Sequence, residues 1–560
     1  MLQNLRRVLS RIRLAQVFAL VICLVALTII LLLPLVTLLA KAFQDRQGGF
    51  VGFANYLKYF QTPTLASSIL NTLDISIWST LFSVVGGFVY AYALTRTNIK
   101  AKAFFRYTAL IPIFIPTIVH ALGLIYLFGK QGILTQLGWL NIDLYGRTGI
   151  ILSEIIYTFP QAFLMFFVAL EFTDGRLYEA ADAMGVSAFQ KLLRITLPEI
   201  KYTAINVFFV CFTLAFTDFG APKVIGGSYN VLATDIYKQV AGQSKMNMGA
   251  VVGTLLLLPA VVSFVVDRLT SSKNAGTISA KATRLTIKPN RRRDLLFFAF
   301  CTAVSLFFVS LVIALGVGGL TSYYPYDLSL TLQNFTFNAS TGGLSSFINS
   351  LVMSLGTALC GTVFVFVYAY LVEKTDGVAA LRRYGELLGV LPLAIPGMVI
   401  GLSFIFFFNS RANPLNFIYG TVVILVVANI LHFFSVPFLT ASGTLKKLDR
   451  EYESAGDSMS IPRWKTFLKV SVPLSLPAIL EIFMYYFVNS MVTVSAVVFL
   501  YSATFKVASI AISHMEEAGD ISQAAAMSLL ILLINVLVRM LYEVATRVIQ
   551  RRNLKKEVLQ

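Results

Sequence analysis

Charged residues and histidine are scarce in this sequence of 560 residues. Only 13% of the residues are Asp, Glu, Lys or Arg, about half of the usual share in soluble domains. Three residues are His, and no clustered set of His and Cys has metal-ligand spacing. Apolar runs hold all four cysteines: Cys23, Cys211, Cys301 and Cys360. These absences exclude an ordinary soluble protein and a disulfide-stapled fold, and we expect no metal site.

Long apolar runs make up much of the sequence, and 57% of its residues are hydrophobic. A helix needs about 20 mostly apolar residues to cross a bilayer. The sequence therefore predicts an all-α integral membrane protein with about twelve spans, six in each half. No small-residue cleavage site follows the first run, so we expect a retained helix there. The predicted spans are 15–39, 71–95, 104–128, 148–170, 203–222, 247–266, 295–319, 347–372, 385–408, 418–442, 474–500 and 523–546.

The two halves of the chain repeat each other in sequence. The offsets between three matched motifs are 278, 278 and 280 residues, which indicates two similar structural units joined head to tail. The motifs are SSILNTL at 67–73 and SSFINSL at 345–351, FVYAY at 88–92 and 366–370, and IPIFIP at 111–116 and LPLAIP at 391–396. A duplicated membrane unit favours a transport pathway between two halves.

A polar, basic and small-residue-rich stretch divides the repeats. We place the first repeat at 1–270, a basic linker at 271–294 and the second repeat at 295–560. Segments assigned to the cytoplasm hold 35 of the 45 Lys and Arg residues, which predicts that both termini are cytoplasmic. The net charge of +18 is then explained by topology and lipid headgroups, and we expect no nucleic-acid partner.

The longest polar interruption within each half follows its fourth span, at 171–202 and 443–473. In the first, a short helix is expected to stop at Gly185, with Ser187 capping a second helix that ends at Pro198. Proline is expected there to keep this helix separate from the next span. Asp457-Ser-Met and Pro473 repeat Asp182-Ala-Met and Pro198 at an offset of 275 residues. Each interruption is therefore predicted to be a compact pair of short helices that a soluble partner grips.

These residues resemble the EAA motif of permease subunits in binding-protein-dependent ABC importers. The first copy is Glu179-Ala-Ala followed by Gly185 and Leu197-Pro198, and the second is a degenerate Glu453-Ser-Ala followed by Val472-Pro473. Ser460 replaces the turn glycine in the second copy, and Ser454 rather than Glu453 faces Glu179 at the 275 offset. The resemblance implies coupling to an ATPase through Glu179, Ala180, Ala181, Gly185, Pro198, Glu453, Ala455, Ser460 and Pro473.

The same resemblance implies a fold, a membrane location and a set of partners for this chain. We expect the type I ABC importer permease fold, with two parallel six-helix repeats, in a bacterial inner membrane. The expected partners are two ATP-binding cassette ATPase subunits, a periplasmic or lipid-anchored solute-binding protein and membrane lipid. A single copy of this chain is expected in each complex. The chain is expected to be no enzyme and to bind no cofactor, since ATP and Mg belong to the partner subunits.

Residues 217–227 and 230–239 resemble fused permeases for 2-aminoethylphosphonate, and related fused permeases serve ferric iron. An ion-coupled secondary transporter is the alternative class, but it requires carboxylates deep in the membrane, of which this chain has few. Asp218 and Lys223 are candidates for a zwitterionic substrate, or else form an ion pair that shapes the turn. Asn71 and Asn349 occupy matched positions in the pathway, or else pack helices. Glu154 is expected to lie at a solvated span end.

Overall fold

A computed structural model describes residues 2–138, 142–274, 285, 287–449 and 451–558. The side chains of residues 2–13, 271–274, 550 and 552–558 are not part of that description. Part of the predicted linker, 275–284 and residue 286, lies outside the described residues. Within them the chain is mainly helical, which confirms the predicted fold class.

Helices follow one another through both repeats with short connections. Those before the linker are Leu2–Leu27, Leu33–Ala42, Ala54–Gln61, Pro63–Arg96, Lys102–Thr108, Thr117–Phe128, Ile133–Gln136, Arg147–Glu171, Gly175–Ala183, Ala188–Lys191, Leu197–Thr217, Gly220–Ile225, Leu232–Tyr237 and Met246–Asn274. Those after it are Arg291–Leu320, Gly343–Lys374, Ala379–Val390, Gly397–Phe408, Val422–His432, Ser435–Lys447, Glu451–Ser458, Arg463–Thr466, Val472–Leu474, Leu476–Val492, Ala508–Glu517 and Ile521–Val558. Single π-turns occur at Thr28–Leu32, Leu192–Thr196, Lys238–Gly242 and Phe467–Ser471.

Nine helices of the described chain are long and apolar enough to cross a membrane, and twelve when three bent pairs each count as one span. One bent pair corrects the predicted span 385–408, because Ala379–Ala394 and Gly397–Phe408 meet at 109°. Pro396 causes this break: it lacks a backbone N–H, and the preceding Ile395 is extended, as residues before proline prefer. The matched Pro116 interrupts the predicted span 104–128 in the same way.

The chain forms two compact units. One comprises 1–44, 342–510 and 531–560, and the other comprises 45–341 and 511–530. Each unit therefore contains one repeat's main helices together with the first span of the other repeat. The sequence boundaries of the repeats stay a prediction, since they concern sequence likeness and the units concern contacts.

The first span of each repeat makes polar contacts with helices of the other repeat, within the same compact unit. Thr28 shares a 2.9 Å hydrogen bond with the Tyr384 hydroxyl in one unit. In the other unit, the buried Ser305 contacts the Tyr90 hydroxyl at 3.0 Å and the Thr108 hydroxyl at 2.8 Å. Because hydrogen bonds between membrane helices specify particular neighbours, these contacts determine which repeat each first span joins.

The described residues form one small sheet, an antiparallel hairpin of Thr321–Tyr323 and Asp327–Leu330. It follows the helix Arg291–Leu320 directly. The Asn334 amide donates to the Gly319 carbonyl at 3.1 Å and to the Thr321 carbonyl at 2.7 Å. These bonds satisfy carbonyls at the end of the helix, which otherwise have no partner within it.

Candidate functional site

The first coupling segment, residues 171–202, contains the predicted turn. Helix Gly175–Ala183 ends before Gly185, which has a φ of +70°. The Gly185 N–H donates to the Asp182 carbonyl at 3.1 Å, and the Val186 N–H donates to the Ala181 carbonyl at 3.0 Å. This pair of bonds is the Schellman motif, and its left-handed position favours glycine. The glycine stop read from the sequence is confirmed.

The second short helix of this segment begins at the predicted cap. The Ser187 hydroxyl accepts from the Gln190 N–H at 3.3 Å, and the Gln190 side chain accepts from the Ser187 N–H at 3.3 Å. This reciprocal capping box satisfies two N–H groups that the helix cannot pair internally. The Asp182 carboxylate forms ion pairs with Lys191 and, at 3.4 Å, with Lys288. The hydrogen bond from Lys191 holds the pKa of Asp182 below its usual value.

The second coupling segment, residues 443–473, makes the same turn without glycine. The Ser460 N–H donates to the Asp457 carbonyl at 3.1 Å, and the Ile461 N–H donates to the Gly456 carbonyl at 2.8 Å. Ser460 has a φ of +58°, a conformation that costs a residue with a Cβ atom roughly 1–2 kcal/mol. The turn therefore does not avoid positive φ, and the surrounding structure offsets the cost.

The predicted separation of each second short helix from the next span is wrong in the first copy. A π-turn at Leu192–Thr196 joins the short helix to Leu197–Thr217, so that Ala188–Thr217 is continuous. Pro198 lies in the first turn after the π-turn, where its missing N–H is tolerated. The second copy does bend, by 77° after Leu474. Pro477 follows that bend, and the first copy has Tyr202 at the matched position.

A buried basic residue anchors each coupling segment, and sequence reasoning missed both. Arg96 donates to the Leu170 carbonyl at 2.8 Å and to the Thr173 hydroxyl, and lies 5.0 Å from the centre of the Tyr178 ring. Lys374 donates to the Leu448 carbonyl at 3.0 Å. Arg96 and Lys374, like Leu170 and Leu448, are 278 residues apart. A sequence signal for these anchors did exist: the repeat offset joins two basic residues, each at the end of a long helix.

Glu453 belongs to the second segment and faces the protein interior. Its carboxylate is buried and lies 3.3 Å from the Lys374 ammonium group. At the 275 offset Glu453 matches Tyr178, which contacts the anchor of the first segment. Glu179 is exposed, as is its counterpart Ser454. The irregular position of the second glutamate thus has a physical reason: it pairs with an internal cation.

Arg463 links the second segment to neighbouring elements of its unit. Its guanidinium group is buried and contacts Asp457 at 2.8 Å and Asp376 at 3.2 Å. It also donates to the Gln16 side chain at 2.8 Å and to the Lys374 carbonyl at 3.1 Å. A buried guanidinium requires such partners because its desolvation is costly.

Each coupling segment exposes four large apolar side chains at matched positions. They are Leu177, Met184, Phe189 and Leu193 in the first segment, and Tyr452, Met459, Trp464 and Leu468 in the second, each 275 residues later. We call these eight side chains the apolar quartets. Repeated exposure of Met and aromatic side chains at matched positions is typical of a protein-binding surface.

The predicted coupling residues divide by exposure. Ala181 and Glu453 are buried, so they support the segments from within. The exposed members are Glu179, Ala180, Gly185, Pro198, Ala455, Ser460 and Pro473. Their coupling role stays a prediction.

Asn71 and Asn349 each fix a backbone carbonyl in their own unit. The Asn71 amide donates to the Asn230 carbonyl at 2.9 Å, and the Asn349 amide donates to the Lys506 carbonyl at 3.0 Å. The two acceptors are 276 residues apart, close to the repeat offset. Both asparagines therefore tie equivalent loops to equivalent helices, and their place in a pathway stays a prediction.

The structure contradicts the suggested ion pair between Asp218 and Lys223. Lys223 instead pairs with Glu517 at 2.6 Å, a partner far along the chain. Asp218 accepts from the Thr117 hydroxyl at 2.8 Å and from the Ala221 N–H at 3.0 Å. Its position after the end of helix Leu197–Thr217 directs its carboxylate to these donors.

Glu154 lies deep in the protein, which corrects the expectation of a solvated span end. Its side chain is 0% exposed, and neither carboxylate oxygen has a hydrogen-bond partner among the described residues. The Asp218 carboxyl is its neighbour. Within the described chain no three His, Cys, Asp or Glu side chains form a metal-binding group. Glu154 and Asp218 thus form a carboxyl pair, in which Glu154 is fully buried and Asp218 is partly exposed.

Comparison with known proteins identifies the family. The profile described as "Binding-protein-dependent transport system inner membrane component" matches residues 83–273 and 378–553. The ferric transport system permease protein FbpB of Actinobacillus pleuropneumoniae is 28% identical over 480 residues, covering 82% of this chain and 68% of that protein. The Fe(3+)-transport system permease protein FbpB 2 of Haemophilus influenzae is 23% identical over 484 residues, covering 85% of this chain and 89% of that protein.

A shorter relative matches part of the chain. The arabinooligosaccharides transport system permease protein AraP of Bacillus subtilis is 27% identical over 265 residues, covering 43% of this chain and 83% of that protein. Together with the duplicated profile match, this indicates that one repeat corresponds to one ordinary permease subunit. The chain therefore belongs to the family of inner-membrane components of binding-protein-dependent transport systems, as a fused, multi-pass permease subunit of an ABC importer.

Proposed function

We propose that this chain is the permease of a ferric-iron importer. The observation that carries the proposal is the similarity, over more than four fifths of the chain, to two proteins named as ferric transport permeases. These relatives favour ferric iron over 2-aminoethylphosphonate, the substrate that the sequence first indicated.

The carboxyl pair of Glu154 and Asp218 supports a cationic cargo. Hard metal ions prefer oxygen ligands, and Glu154 and Asp218 present carboxylate oxygens, of which those of Glu154 have no other partner among the described residues. An anionic phosphonate would instead meet like charge, which is unfavourable. We assign to this pair a transient contact with the passing ferric ion.

Two ATPase subunits are proposed to drive the cycle by docking on the apolar quartets, one on each coupling segment. ATP and Mg are then bound by those subunits, and this chain holds no cofactor of its own. A solute-binding protein delivers the cargo to one copy of the chain. The distribution of Lys and Arg supports placing both coupling segments and both termini in the cytoplasm.

Uptake into vesicles containing the reconstituted importer tests the proposed cargo. Vesicles are supplied with ATP, the cognate binding protein and either radioactive ferric ion or 2-aminoethylphosphonate. We expect ATP-dependent accumulation of iron that excess phosphonate does not reduce. Accumulation of phosphonate without iron would refute the ferric assignment while leaving the permease assignment intact.

A matched substitution tests the carboxyl pair. We expect Glu154→Gln to slow iron uptake at least tenfold without reducing binding of the ATPase, because one oxygen ligand and its charge are lost. Glu481→Gln is the control, since Glu481 is an exposed membrane-helix carboxylate. Equal uptake by both variants would exclude Glu154 from the pathway.

A further inference from the structure

A basic cavity of about 380 Å³ lies beside the anchor of the first coupling segment. Its described lining includes the cations Arg96, Lys102 and Arg106 and one acidic residue, Glu171. Arg106 is exposed and stacks over the Phe167 ring, 5.0 Å from the ring centre. The volume lies within the range of about 300–1,000 Å³ that is usual for small-molecule sites.

The second repeat provides an internal reference for this cavity. The Tyr90 hydroxyl donates to the Phe105 carbonyl at 2.8 Å, and the Tyr368 hydroxyl donates to the Gly385 carbonyl at 2.7 Å. Tyrosines 278 residues apart thus bind carbonyls 280 residues apart. This pair of bonds aligns the short helix Lys102–Thr108 with Ala379–Val390.

At the aligned positions the second repeat has carboxylates that the first repeat lacks. Glu373 occupies the position of Thr95, and Glu386 occupies the position of Arg106. Glu373 is buried and accepts from the Ser442 hydroxyl at 2.5 Å. It also neutralises nearby cations, with Lys446 at 3.2 Å and Arg382, the counterpart of Lys102, at 3.7 Å.

In the first repeat Thr95 and Arg106 take the positions of these two carboxylates, so Arg106 has no counterpart of Glu373 beside it. No carboxylate of the described residues lies within ion-pair distance of Arg106, and the Nε atom of Arg96 is buried without a hydrogen-bond partner among them. Clustered Arg and Lys side chains bordering a membrane helix are the usual ligands of phosphate groups.

We infer that this cavity binds a phosphate-type oxyanion, held by Lys102 and Arg106 in the field of Arg96. Two sources carry that chemistry: the headgroup of an anionic phospholipid and free inorganic phosphate. The inference goes beyond the proposed function and does not depend on the cargo. Since Arg96 also anchors the first coupling segment, the bound anion lies next to the element that meets the ATPase.

Two binding measurements on the purified full-length chain distinguish the sources. Native mass spectrometry counts phosphatidylglycerol retained after exposure to mixed vesicles of phosphatidylglycerol and phosphatidylcholine. Calorimetry measures the binding of inorganic phosphate to the delipidated chain. Retention of phosphatidylglycerol alone identifies a lipid site, and phosphate binding identifies a site for the free ion. Binding of neither probe would overturn the inference.

Matched variants locate the binding. Arg106→Gln removes an exposed cation and is expected to weaken binding about fivefold. Thr95→Glu installs the carboxylate of the second repeat and is expected to weaken binding by at least as much. Arg383→Gln is the control, because it removes one exposed cation from the aligned helix of the second repeat.

The binding of these three variants decides whether the cavity is the anion site. Loss of binding in Arg106→Gln and Thr95→Glu, with wild-type binding in Arg383→Gln, supports the site. Unchanged binding in Arg106→Gln, or an equal loss in Arg383→Gln, overturns it. Thermal unfolding of each variant shows whether it folds. If Thr95→Glu fails to fold, Arg106→Gln decides the question by itself, because its side chain is exposed.

Discussion

The two coupling segments have the same outline but different interiors. Both contain a Schellman turn, a π-turn five residues long and an apolar quartet at positions 275 residues apart. Inside, the first segment stacks Tyr178 on Arg96, whereas the second pairs Glu453 with Lys374 and adds the buried Arg463. The apolar quartets that the segments share are exposed, whereas the residues that differ, such as Glu453 and Arg463, are buried.

This comparison separates a shared exposed surface, on which the proposed docking depends, from an interior that differs. The four exposed apolar positions of each quartet are matched, although the EAA letters are degenerate in the second copy. The interior tolerates a change from an aromatic contact to an ion pair, because either one holds the short helix against its anchor. We therefore expect substitutions on the surface to act alike in both segments and substitutions in the interior to act differently.

The largest effect is expected from the apolar quartets. Phe189→Asp and Trp464→Asp each place a charge in the proposed interface, and loss of such a central aromatic residue costs about 2 kcal/mol or more. We expect at least about 30-fold weaker ATPase binding in each variant, measured by co-purification and titration. Phe417→Asp is the control, since Phe417 is exposed outside the coupling segments. Wild-type binding by either quartet variant would remove that segment from the interface.

The next effect is confined to the second segment. Arg463→Ala leaves Asp457 and Asp376 without their buried cation, a loss of roughly 3 kcal/mol. We expect a lower thermal unfolding temperature and faster proteolysis within 443–473. Lys465→Ala, which removes an exposed neighbouring cation, is expected to change neither. The first segment already has alanine at the matched position, Ala188, so its stability must come from elsewhere. Equal behaviour of the two variants would contradict a structural role for Arg463.

Exchanging the turn residues tests the shared backbone conformation. Gly185→Ser is expected to destabilise the first turn and Ser460→Gly to stabilise the second, each by about 1 kcal/mol, because both positions have positive φ. Thermal unfolding of the purified chain measures both shifts. Gly443→Ser is the control, at a helical glycine with open space for a Cβ atom. Shifts of the same sign in the two exchange variants would show that the turns are not equivalent.

The smallest effect concerns the Asp182 ion pair in the first segment. Because the hydrogen bond from Lys191 lowers the pKa of Asp182 in the folded state, its contribution is present above the ordinary value of 3.8 and is lost as the pH falls further. We expect Asp182→Asn to lower stability at neutral pH by about 0.5 kcal/mol or less, as for exposed pairs. The difference from wild type should vanish in acid, and a difference that persists there would exclude the ion pair as its cause.

Local features were predictable wherever a few neighbouring residues suffice. The Gly185 stop and the Ser187 cap follow from backbone conformation and hydrogen bonds within one turn, and both are confirmed. The predicted helix end at Pro198 is wrong, because the effect of proline depends on the turn around it. A π-turn there lets the helix continue past the proline. The burial of Glu154 was also beyond local reasoning, since it depends on which helices cover that face.

The sequence by itself determined the duplicated order of apolar spans, the family and the position of the coupling segments. These follow from runs and offsets along the chain, which require no knowledge of neighbours in space. Only the tertiary structure decided that each first span packs with the other repeat's helices, that Lys223 selects the distant Glu517 over Asp218, and that Glu453 faces inward. In a membrane, where every span is apolar, hydrophobicity places helices in the bilayer, but packing and the pairing of rare polar groups choose their neighbours.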